Sequence, residues 1–260
     1  MKNLFLLIVA LLFTVTVHAD VVGEYVFEGT LGDRIPVQIT FCVNGEYIAV
    51  GEIYYPKAKH PAPILLVGGI EDWGYSLKEY QDDGTVTGIL SLKMKFGENE
   101  EDADEFIEGE WMNPKTGKKL PLKNMELVSE MVVDVAKYLD YEDPQNIGRE
   151  YAYQEWDADN QKMMAGHIAF RGAGKYKLHF DISNERRGIA KAKSTPDNPA
   201  ILGETTHDYF YYENLNECGY AFSAHFFKRF VVLKTTSSQE TLKCFGKSAS
   251  FDGVYMKVKQ

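Results

Sequence analysis

The sequence predicts an all-β protein made of two small antiparallel up-and-down barrels, joined by a linker that holds a short helix. Alternation of apolar and polar residues recurs about every ten to fifteen residues, the period of a half-buried strand. Gly, Asn, Asp and Pro punctuate the runs, as tight turns require. Helical spacing is confined to one central stretch. Two runs show the pattern best: Val86, Gly88, Leu90, Leu92, Met94 and Phe96 share one phase, and Tyr176, Leu178, Phe180 and Ile182 share another.

Before the first strand, Met1 to Ala19 has a single charge at Lys2, an apolar stretch from Leu4 to Val15 and the ending Val17-His18-Ala19. That is the form of a cleaved secretory signal, so the expectation is export to the periplasm or the medium after cleavage near Ala19. Eight strands are then expected near 23–29, 34–43, 46–56, 62–69, 74–81, 85–96, 105–112 and 118–127. Asn44-Gly45 and Asp83-Gly84 are hairpin signals. Eight consecutive strands with short turns close most simply into a barrel, which removes exposed sheet edges. The first domain is thus placed at 20–127. Val128, Met131, Val132, Val135 and Leu139 follow Ser129 at helical spacing, which predicts a short helix within a linker over 128–148. A second series of strands runs over 149–260. Its opening, Glu150-Tyr151-Ala152-Tyr153, echoes Gly23-Glu24-Tyr25-Val26-Phe27. The two halves are expected to fold as separate units.

Charge is unevenly divided. Residues 20–127 hold 20 acidic and 10 basic side chains, and residues 128–260 hold 18 and 17. A chain with this balance repels phosphate, so nucleic acid and anionic membrane surfaces are excluded as partners. No second long apolar segment follows the leader, so no membrane insertion is expected.

Three cysteines in an exported chain point to one disulfide. Cys218 and Cys244 frame the strand pair between Tyr220 and Leu242 and are the expected bridge. Cys42 is left over, either as a free thiol on the non-core face or as an inert packed one. The chain shows no Gly-x-Ser-x-Gly elbow, no His-Glu-x-x-His, no phosphate-binding glycine loop and no Cys-x-x-Cys, so no enzyme, catalytic residue, metal or cofactor is expected. His167 and His179 fall on the polar phases of neighbouring runs but lack ligand-spaced carboxylates. The acidic run Glu98, Glu100, Glu101, Asp102, Asp104 and Glu105 reads as a solvated hairpin tip. Tyr209-Phe210-Tyr211-Tyr212 must send rings to both faces of its sheet. Tyr209, Tyr211, Tyr212, Trp73 and Trp111 are therefore the candidate binding residues.

Gly51-Glu52-Ile53-Tyr54-Tyr55, Ile64-Leu65-Leu66-Val67-Gly68, Leu77-Lys78-Glu79-Tyr80, Thr87-Gly88-Ile89-Leu90 and Ile107-Glu108-Gly109-Glu110-Trp111 are similar in order to secreted bacterial proteins of calycin-like or lipocalin-like type. The resemblance rests on strand-and-turn patterns and implies a barrel more than an activity. The expected function is binding of a small apolar or amphipathic ligand inside a barrel. The alternative is inhibition of a basic enzyme such as lysozyme through the acidic first half.

Overall fold

The computed structural model describes residues 21–43, 48–71, 74–95, 105–134, 149–185, 189–202, 209–213, 220–236 and 250–258. β1 (Val21–Leu31), β2 (Ile35–Val43), β3 (Ile48–Tyr54), β4 (Ile64–Glu71), β5 (Gly74–Tyr80), β6 (Val86–Lys95), β7 (Glu105–Met112) and β8 (Lys119–Asp134) are successive antiparallel neighbours. β8 returns to pair with β1, so the sheet closes as an up-and-down barrel. Alternation points one phase inward. Phe27, Ile39, Phe41, Ile53, Leu66, Leu77, Leu90 and Leu92 are buried together and fill the lumen. Phe41 packs 6.0 Å from the Phe27 ring and 5.1 Å from that of Tyr75.

The expected helix over 128–139 is replaced, as far as residue 134, by the second half of β8. Leu127 pairs with Phe27 and Ser129 with Val26, which leaves Val128 as the extra residue of a β-bulge. Beyond the bulge the apolar residues keep no two-residue period, since the neighbours Met131 and Val132 lie on opposite faces, and their spacing imitates that of a helix. Val128, Met131 and Val132 stand exposed on this strand. The first barrel thus extends beyond 127, and residues 135–148 lie outside the described residues.

The second barrel contains β9 (Arg149–Asp157), β10 (Lys162–Gly174), β11 (Lys177–Asn184), β12 (Ala190–Lys193), β13 (Ala200–Leu202), β14 (Tyr209–Glu213), β15 (Ala221–Phe226), β16 (Phe230–Thr235) and β17 (Gly253–Lys257). Pairing of β17 with β9 and of β10 with β11 completes the ring. β12 and β13 share one edge of β11, along Asp181–Asn184 and Lys177–Leu178. They are two pieces of one strand position, giving eight positions around the barrel. Pro196 and Pro199 lie in the interruption, where neither can donate to a ladder. The lumen is packed with aromatic rings. Phe180 lies 4.6 Å from Tyr212 and 5.2 Å from Phe222, and Phe170 lies 4.9 Å from Phe226.

The two barrels meet through outward-facing apolar residues. Val50, Leu65, Val67, Tyr80 and Val86 of the first pack with Phe227, Phe230, Val254 and Met256 of the second. Fully burying such a side chain stabilises by roughly 1.5–3 kcal/mol, so this patch outweighs the exposed pairing of Arg229 with Glu52 and Asp82 across the contact. The β5–β6 hairpin docks beside it. Its Gly84 has φ 84°, and the Gly84 carbonyl accepts the Gln154 N–H of β9 at 2.9 Å.

Candidate functional site

Beside this contact is a cleft of about 500 Å³ between the barrels. β4 and β5 supply Val67, Gly68, Gly69, Ser76, Lys78 and Tyr80. Opposite stand Glu155 of β9, Met164 of β10 and the segment Ser250 to Val254 entering β17. The recess exists because small residues stand on the outer wall of the first barrel: Gly69 and Ser76 face each other across β4 and β5. Volume and position both suit a small-molecule site, since such sites favour boundaries between units.

Lys78 Nζ lies 2.5 Å from Glu155 Oε1, with the glutamate side chain 11% exposed. A carboxylate buried to this degree needs compensation, and Lys78 supplies a cation to it. The other polar wall is also anchored. Asp252 accepts the Thr235 N–H, and Thr235 Oγ1 accepts the Phe251 N–H at 2.9 Å. The buried Asn184 ties β9 and β11 to this segment: its Oδ1 accepts from the Tyr153 hydroxyl, and its Nδ2 donates to the Ser250 carbonyl at 2.6 Å. Val67, Tyr80, Met164 and Val254 supply apolar surface between the charged groups.

A second polar cluster is inside the first barrel. Glu79, 2% exposed, faces the lumen and accepts from the Tyr55 hydroxyl and from Thr87 Oγ1 at 3.2 Å. Gln81 Nε2 donates to Thr87 Oγ1 at 3.1 Å. Gly88 makes room for the group. A Cβ at that position would stand 2.1 Å from Trp111 Nε1 and 2.3 Å from Glu79 Oε2. Desolvation pushes the Glu79 carboxyl above its ordinary range, against the opposing pull of the hydrogen bonds from Tyr55 and Thr87 and of the nearby Trp111 indole N–H. Burial and the adjoining carboxylate push the Tyr55 hydroxyl up strongly.

The expected aromatic site is divided. Tyr209 and Tyr211 are on the outer face of the second barrel, Tyr209 with its ring centroid 4.4 Å from that of His225 and Tyr211 45% exposed beside Ile201. Tyr212, on the opposite phase, is buried among Phe180 and Phe222 and offers no binding surface. Trp111 likewise packs against the lumen of the first barrel beside Glu79, not on an outer face. Trp73, Cys218, Cys244 and the run Glu98–Asp104 lie outside the described residues. Cys42 is a buried free thiol whose Sγ lies 3.5 Å from the Val50 carbonyl. His167 and His179 do not converge. His167 stands opposite Ser183 and His179 opposite Arg171, an offset of four residues or about 13 Å along the strand.

Sequence reasoning missed Lys78 and Glu155 as a pair, although a signal was present. Glu155 occupies the apolar phase of Tyr151 and Tyr153, and Glu79 that of Tyr75 and Leu77. An acid on the apolar phase of a strand marks a buried carboxyl that must have partners.

No protein-family model matches the chain. No curated protein matches it either. Among solved structures, a candidate outer membrane protein from Bacteroides fragilis aligns over 91% of this chain and 95% of its own, with 7% identity and a TM-score of 0.21. Likeness at that level assigns neither family nor function.

Proposed function

We propose that this chain is an exported, non-enzymatic binding protein that holds a small amphipathic ligand in the cleft between its barrels. The single observation that carries the reading is the cleft itself: about 500 Å³, with apolar walls from Val67, Tyr80, Met164 and Val254 flanked by Lys78, Glu155 and Asp252. Such a surface suits a molecule with an apolar body and a few polar substituents. Packing supports placing the ligand outside the lumens, where the buried rings and aliphatic side chains occupy the space. The tie between Lys78 and Glu155 supports binding over catalysis, because each group neutralises the other. Apolar lumens and largely polar outer faces support a water-surrounded barrel; a membrane-spanning one has the reverse polarity. The up-and-down closure of the first barrel supports a calycin-like parentage.

Native mass spectrometry of protein recovered gently from its own host tests the proposal. A retained small molecule is expected in the wild type. Ser76→Trp, which fills the recess from a half-buried position, should lose it while keeping the far-ultraviolet spectrum. No adduct, or one that persists in Ser76→Trp, overturns the assignment.

A further inference from the structure

A second recess, of about 520 Å³, lies on the outer wall of the second barrel. Ala169 forms its floor. Glu150 and Asp181 stand opposite Ala169 on the flanking strands, and His167 and Arg171 flank it on β10. Neighbours on one face of a sheet are about 5–7 Å apart, so a lone methyl among four long side chains leaves a depression.

The charges around it are sorted. Glu150 Oε2 lies 3.4 Å from His167 Nε2, and Asp181 Oδ2 lies 3.6 Å from Lys193 Nζ. Each acid therefore has a basic neighbour. Arg171 is exposed and has no ion pair or hydrogen bond among the described residues. The register sets it directly opposite His179. The His179 ring is held in turn: its Nδ1 lies 3.2 Å from Ser194 Oγ, and that oxygen accepts the Phe180 N–H at 2.9 Å. With Nδ1 engaged, Nε2 on the far side of the ring is the nitrogen left for a ligand.

An unpaired guanidinium offers a planar fork of donors that matches a carboxylate or a phosphate. We infer that this recess binds the anionic group of a small polar molecule, with Arg171 as the bidentate anchor and His179 as a second donor in the tautomer whose Nδ1 accepts from the Ser194 hydroxyl and whose Nε2 carries the proton. The site is independent of the cleft between the barrels. The ligand body rests over Ala169, between the Glu150–His167 and Asp181–Lys193 pairs.

The test is an NMR titration of the full-length protein with glucuronate, glucose 6-phosphate and glucose, following the His179 imidazole resonances. Saturable shifts are expected with at least one anionic sugar and not with glucose; which sugar responds identifies carboxylate or phosphate as the preferred group. Arg171→Gln should weaken the response by about tenfold or more, because the charge-assisted fork is lost. Ala169→Phe, which fills the floor and leaves every charge in place, should do the same. Both residues are on the outer face, so an unchanged melting temperature shows that each variant is folded. Three results would each overturn the inference: no saturable shift with either anion, an equal shift with glucose, or an undiminished response in Arg171→Gln.

Discussion

Glu79 is the residue whose position in the sequence says most about its environment. Two lumen-facing neighbours, Tyr75 and Leu77, precede it on the same phase, and the fold accepts the acid only because Tyr55 and Thr87 donate to it and Gly88 leaves it space. Burial raises its folded-state carboxyl above the ordinary value of 4.5. A raised carboxyl favours the protonated form in the native state. Its contribution to stability is therefore complete below about pH 4.5 and is lost as pH rises through the folded-state value. Glu79→Gln imitates the neutral acid and lacks this loss. Urea midpoints of the two proteins should nearly coincide at pH 4, with the variant the more stable at pH 7. A wild type that gains on the variant between those pH values would show that the ionised carboxylate is the favoured form. Single residues also explain the divided aromatic run. Alternation alone placed Tyr209 and Tyr211 opposite Phe210 and Tyr212, but it could not say which phase was the core.

Strands that bury one phase and wet the other were legible, and the bounds of β2 and β7 agree with the alternation to within a residue. β8 was misread beyond residue 127, since a bulge at Val128 destroys the two-residue period on which the reading depends. Hairpins carry a further distinction that sequence does not reveal. Gly84 and Gly117 both occupy turns with positive φ, at 84° and 65°, and look equivalent as turn glycines. Only Gly84 is pressed against the other barrel: a Cβ there would meet the Ala152 carbonyl oxygen at 2.4 Å, whereas Gly117 has nothing within 4 Å. An alanine at either position pays about 1–2 kcal/mol for the left-handed backbone. Gly84→Ala should lose about 1–3 kcal/mol more through the clash with β9. Equal losses in denaturant-unfolding measurements would mean that the hairpin does not dock on β9.

Two barrels become one molecule through a surface that was written into the sequence in an ambiguous form. Ile64, Leu65, Leu66 and Val67 are apolar on both phases, the mark of a strand covered on both faces. The inward pair, Ile64 and Leu66, packs toward the lumen, and the outward pair, Leu65 and Val67, meets the second barrel. The cleft beside that contact was not legible. Its walls come from β4 and β5, from Glu155 and Met164 of β9 and β10, and from the segment entering β17, whose approach depends on how the barrels lie against each other rather than on any local pattern. Binding at this boundary is the claim on which the functional reading rests. A crystal structure of protein purified with its native ligand locates that ligand without reference to activity. Difference density should lie between the Lys78–Glu155 pair and Asp252, along Val67 and Val254, with both lumens occupied by their own side chains. Ligand density inside either barrel, among Phe41 and Leu77 or among Phe170 and Phe226, would contradict the assignment.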